Sequence, residues 1–141
     1  MAHFPDLETR SQIASAPFVR AIGWLAASMP FPIGETPPEF VEKLRRLATS
    51  WGASTSTLAW PAAAGPHTCE FCGVFRAAGN LGVPSDSILY VAPEMVAHYV
   101  EVHDYRPPDA FIHAVLASPL PGTTEYAEAV RPFICQSGEP L

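Results

Sequence analysis

Cys69 and Cys72 stand three positions apart, and after a gap of 25 residues His98 and His103 stand five positions apart. The pattern is C-x2-C followed by H-x4-H. Thiolate sulfur and imidazole nitrogen are borderline-soft donors, and two of each make a set that holds zinc tetrahedrally. The histidine spacing is within the range zinc fingers use. The first expectation is therefore one Zn2+ per chain on Cys69, Cys72, His98 and His103, with a structural role. His67 is a rival donor, because His67-x-Cys69 can bring a ring near the same ion in place of one of the later histidines.

Two other chemistries compete for these residues. A C-x2-C pair also serves thiol redox proteins, but there it opens a helix after a buried strand. Phe71 between the cysteines and Gly73 after them point to a knuckle turn instead, with glycine giving the backbone room where amides approach the sulfurs. A metalloenzyme needs an open metal position and an acid or base beside it. Glu70, Glu94, Glu101 and Asp104 are near in sequence. Glu70 is expected to point out of the knuckle, and Glu94 to serve a helix N-terminus. A zinc deaminase would carry H-x-E ahead of P-C-x-x-C. No H-x-E occurs, and Thr68 precedes Cys69 where proline is required. G-x-S-x-G, H-E-x-x-H, phosphate-loop and dinucleotide fingerprints are missing as well. No catalytic residue is assigned. His113 reads as a surface or packing histidine, His3 as part of a mobile terminus, and Cys135 as a half-buried thiol.

The ligands need elements to hold them. Val74–Ala77 and Ile88–Val91 read as strands, with Gly79-Asn80 and Pro84-Ser85-Asp86 punctuating their connection. Ala92-Pro93-Glu94 opens a helix that carries Met95 to His103 and is stopped by Tyr105-Arg106-Pro107-Pro108. The order is knuckle, hairpin, helix. Five positions turn an ideal helix by about 140°. Both histidines therefore meet one ion only if the helix changes its winding near His103.

Elsewhere, residues 7–14 suggest a short helix. Residues 16–27 (APFVRAIGWLAA) are a buried strand or a buried helix, with Val19, Ile22, Trp24 and Leu25 in the core either way. Thr36-Pro37-Pro38-Glu39 has the form of a capping box, and Phe40, Val41, Leu44, Leu47 and Ala48 follow at helical spacing up to Trp51-Gly52. Residues 53–66 read as a loop around a short apolar segment at 58–60. A third helix follows Pro108-Asp109 through Phe111, Val115 and Leu116, and a fourth spans residues 123–130. The fold class is α+β: a zinc-knuckle, β-hairpin and helix unit, treble-clef- or zinc-finger-like, plus packed helices. Residues 1–17 form a partly flexible leader, 18–131 a single zinc-stabilised domain and 132–141 a tail.

The length of 141 residues suits one domain with an ordinary core, so metal would add to a core and not replace one. Apolar residues make up 48% and charged residues 16%, which excludes a disordered chain. The net charge of −6 argues against a nucleic-acid partner, which requires a basic surface. Lys43, Arg45 and Arg46 cluster beside Glu39 and Glu42 and read as a solvated helix face. No stretch approaches the about 20 apolar residues of a membrane span, and the first residues lack a secretory pattern. With an odd cysteine count of three, the expected compartment is the cytoplasm.

The segments CEFC, LYVAPEMVAHYVEVHDYRPP and FIHAVL, with Ile22-Gly23-Trp24-Leu25, resemble a family of small uncharacterised bacterial proteins. These share C-x2-C followed by Y-x-A-P-x4-H-Y-x3-H-x-Y-x-P-P-x2-F. The resemblance covers about two thirds of the chain. It implies the same four zinc ligands and one domain, and no assigned activity. Within it, Tyr90, Tyr99, Tyr105 and Pro107-Pro108 read as packing around the metal helix. The expected function is a non-catalytic zinc-stabilised module for a protein partner. The alternatives are a small zinc enzyme or thiol redox protein, and an immunity or accessory protein for a neighbouring toxin or secretion system.

Overall fold

The apolar run Ile88–Pro93 forms the central strand, β5, of a three-stranded sheet, and it is apolar because both faces are covered. Its neighbours are β1 (Val19–Ala21), parallel, and β4 (Asn80–Ser85), antiparallel. The computed structural model describes residues 3–10, 16–50, 67–77 and 79–137, with backbone alone for 49, 50 and 134–137. The remaining elements are α1 (Pro38–Ser50), β2 (His67–Thr68), β3 (Arg76–Ala77), α2 (Val96–His103), α3 (Asp109–Ala117) and α4 (Thr124–Ser137). This is the α+β class the sequence predicts.

Strand side chains alternate between faces, and here each face has its own core. Tyr90 and Ala92 of β5 and Leu81 and Val83 of β4 pack with Ile22, Leu44 and Phe111 in the main core. Val19, Leu89 and Val91 pack on the opposite side with Phe18, Tyr126, Val130 and Phe133. Val19, Ile22, Trp24 and Leu25 are all buried as expected, and the ambiguous segment 16–27 supplies a strand.

Several local expectations are corrected. The connection read as punctuation between two strands is itself strand β4, running through Pro84. Proline cannot donate to a ladder, yet among the described residues β4 has only β5 beside it, and an edge strand tolerates this. The turn is confined to Asp86-Ser87, where Asp86 takes φ 45°, a conformation aspartate accepts. At its other end β5 continues through Ala92-Pro93, so α2 begins at Val96, later than the proline predicts. Helix α4 passes Pro132 and its backbone reaches Ser137. Buried Val130 and Phe133 anchor it on either side of the proline, Phe133 with its ring 5.3 Å from that of Phe18.

Residues 7–10 hold a turn and a bridge, not a helix. The leader lies along β1: the Leu7 amide donates to the Ala21 carbonyl at 2.7 Å and the Ala21 amide to Glu8 at 2.7 Å. The short helix proposed over 7–14, Trp51-Gly52, the segment 58–60 and the Cys135 side chain fall wholly or partly outside the described residues.

Candidate metal centre

Strands β2 and β3 pair antiparallel, His67 opposite Ala77, and the chain between them makes the knuckle. The Gly73 amide donates to the Cys69 carbonyl and the Cys69 amide to the Phe75 carbonyl, both at 2.8 Å. Gly73 takes φ 69° with nothing within 4 Å of where a Cβ would stand, so backbone conformation and not space selects glycine there. The turn aims amides at sulfur: those of Phe75 and Val74 at Cys72, those of Cys72 and Phe71 at Cys69. The first pair draws the Cys72 thiol down to about 6, helped by His103 and His98. Burial pushes the Cys69 thiol up against its own pair of amides. Cys69 is buried and Cys72 exposed, so the group opens to water on the Cys72 side.

Helix α2 brings the histidines, and its last turn solves their spacing. The amides of Asp104 and Tyr105 both donate to the Tyr99 carbonyl, five and six positions back where an ordinary α-helix reaches four. The winding relaxes as the spacing requires, and Asp104 closes the helix in the left-handed conformation at φ 56°. The two Nε2 atoms then lie 3.2 Å apart. Cys69 Sγ is 3.4 Å from His103 Nε2, and Cys72 Sγ is 3.5 Å from His98 Nε2. All four donor atoms lie within 4.8 Å of one another, close enough to bind one metal ion.

The remaining candidates fall outside this group. His67 Nε2 is buried without a hydrogen-bond partner among the described residues, and desolvation lowers its pKa. Glu70 points away, as expected, and accepts from the Ala27 amide at 2.9 Å. Glu94 does not cap α2. Its carboxylate accepts from the Gly79 amide at 3.1 Å while its own amide donates to the Gly79 carbonyl, closing the open end of the β4–β5 hairpin. His3 is tied through Nδ1 to the Trp24 carbonyl at 2.8 Å, and His113 is exposed.

An aromatic surround escapes a reading by motif. Phe75 stacks on His98 with centroids 4.3 Å apart and planes within 6°, and Phe71 stands against both His103 and Tyr99. Tyr105, two residues beyond His103, donates its hydroxyl to Asp6 of the leader at 2.7 Å. The aromatic residues are visible in the sequence, but which ring faces which imidazole depends on strand register and the relaxed end of α2.

These observations define a small α+β domain in which a cysteine knuckle and the helix beyond a hairpin converge on a Cys2His2 group able to hold a metal ion. The chain belongs to the family described as "Domain of unknown function (DUF7919)", whose model matches residues 2–116. The matched span includes both ligand pairs and stops ahead of α4. No curated protein and no solved structure matches the chain. Among the described residues no helix is long and apolar enough to cross a membrane.

Proposed function

We propose that Cys69, Cys72, His98 and His103 bind one zinc ion in a structural role, and that the domain so held is a non-catalytic protein-interaction module. One observation carries the metal reading. Zinc–sulfur and zinc–nitrogen bonds of ordinary length place tetrahedral ligands about 3.5 Å apart for a sulfur–nitrogen pair and about 3.3 Å apart for two nitrogens. The separations here are 3.4 and 3.5 Å for sulfur–nitrogen and 3.2 Å for nitrogen–nitrogen. Calcium and magnesium prefer oxygen ligands, and none of the four donors is oxygen. Four protein donors complete a tetrahedron, the closed pattern of structural sites.

The ion would crosslink the knuckle to α2, two elements that otherwise meet through the Phe71 and Phe75 ring contacts and are joined along the chain by the β4–β5 hairpin. Zinc supplies folding energy in such sites. The acidic surface supports a protein partner over a nucleic acid. The test is elemental analysis of protein purified without a metal-affinity tag, beside native and denatured mass spectra. One equivalent of zinc, lost on denaturation, is expected. Protein without metal, whose Cys69 and Cys72 cycle between dithiol and disulfide, would replace this reading with a thiol redox function.

A further inference from the structure

Beside the metal group a depression of 380 Å³ opens between α1 and α2. Its apolar lining is Ala48 of α1, Ala97 and Val102 of α2, and Phe75 of the knuckle. Val102 is 58% exposed and Phe75 38%, and Val74, next to it in the chain, is 79% exposed. Large apolar side chains are thus left in water on the two elements that carry the ligands. A shallower depression of 610 Å³ shares Arg45 and Glu101 with the first. Glu35, Glu94, Glu101 and Asp104 line the joined groove with carboxylates, and Arg45 is the one Lys or Arg among its described lining residues, paired with Glu101 at 2.9 Å. Exposed apolar area rimmed by charge mostly of one sign marks a binding surface and selects a partner of the opposite sign.

We propose that this groove docks a basic amphipathic segment of a partner protein, with one large apolar side chain in the depression and Lys or Arg along the acidic rim. The proposal rests on the interaction-module reading and names its partner class. A cavity of 380 Å³ accommodates a single large side chain with room to spare, and the carboxylates beyond it account for the charge of the residues that follow. Phe75 belongs to the knuckle and Val102 to α2, so the ion that joins those elements also holds the groove's apolar walls at their spacing.

The test uses the full zinc-loaded chain and two labelled helical peptides of identical apolar spacing, one of leucine and lysine, the other of leucine and glutamate. Fluorescence anisotropy reads binding, and zinc is counted in every sample. The leucine–lysine peptide is expected to bind and the leucine–glutamate peptide to fail. Val102→Ser, at an exposed position, should weaken binding about tenfold with zinc content unchanged. The pair Glu35→Gln and Asp104→Asn should weaken it about threefold and flatten its salt dependence. Equal binding of both peptides, no binding of either, or indifference to Val102→Ser overturns the groove. Overturned with zinc still present, the groove falls and the metal reading stands. Absence of zinc removes the metal reading separately, and with it the metal-held groove.

Discussion

At the residue scale, the four proposed ligands are not equivalent. Cys69 is buried beneath the knuckle, while Cys72 is exposed and drawn down to about 6 by the amides of Phe75 and Val74. Such amides stabilise sulfur as thiolate, the form that binds metal. In the proposed site, removing a ligand uncouples metal binding from folding. Cys69→Ser and His98→Ala are each expected to lose zinc and several kcal/mol of stability, measured by elemental analysis and urea unfolding. Retained zinc in both would take those positions out of the site. Cys135→Ser is expected to leave zinc content unchanged, and loss of the metal there would show that the ligand set is wrong. Phe75→Ala should keep the ion but free the His98 ring from its stack, which zinc competition with a chelator would register as weaker retention.

At the scale of elements, the candidate metal site depends on how α2 is seated. Gly23 takes φ 75°, and a Cβ added there would meet Val96 Cγ2, in the first turn of α2, at 2.6 Å. Its amide also donates to Asp6 of the leader. Gly23→Ala combines backbone strain with overpacking and should cost about 2–4 kcal/mol. A urea midpoint unchanged from the parent would show that α2 yields freely there. The basic cluster of α1 serves neighbouring elements. Lys43 donates to the Ser118 carbonyl at 2.6 Å beyond α3, and Arg45 pairs with Glu101 of α2. Thus α1 bridges α2 and α3, with Phe40, Leu44 and Leu47 buried beneath it.

At the scale of the molecule, burial of tyrosine ties stability to alkaline pH. Tyr105 is raised well above the ordinary phenol range, first by burial and then by the charge and hydrogen bond of Asp6. Tyr99 is raised by burial and by the charges of Cys69, Glu70 and Cys72. Below about pH 10 both folded and unfolded chains hold these protons, and the stabilisation is complete. Above it the unfolded chain's tyrosines ionise while the folded ones do not, so stability falls as pH rises. Urea midpoints should therefore drop as pH rises above about 10, and less steeply in Tyr105→Phe. An identical slope in that variant would remove Tyr105 from the effect. At neutral pH, Tyr105→Phe should cost about 1.5–3 kcal/mol, the range for a hydrogen bond to a charged group, read by the same urea unfolding.

The Cys2His2 group able to hold a metal ion was legible in the sequence because C-x2-C and H-x4-H are local patterns whose donor types define their chemistry. Helix α1, the main core positions and the α+β class were legible as well, since capping residues and helical periodicity act over a few neighbours. Strand β4 was not: Pro84 and Gly82 are turn signals locally, and only the partner β5 on one side makes that segment an edge strand. The continuation of α4 past Pro132 was hidden for a similar reason, because the anchor of Phe133 is Phe18, far away in the chain. Spacing alone put the histidines about 140° apart on a helix, and tertiary structure brought them together. The end of α2 is relaxed where Asp104 and Tyr105 turn back to Tyr99, and Tyr105 is held there by Asp6 from the leader and by its bridge to Ile33. Donor identity resides in residues a few positions apart, whereas donor convergence depends on contacts between segments distant in the chain.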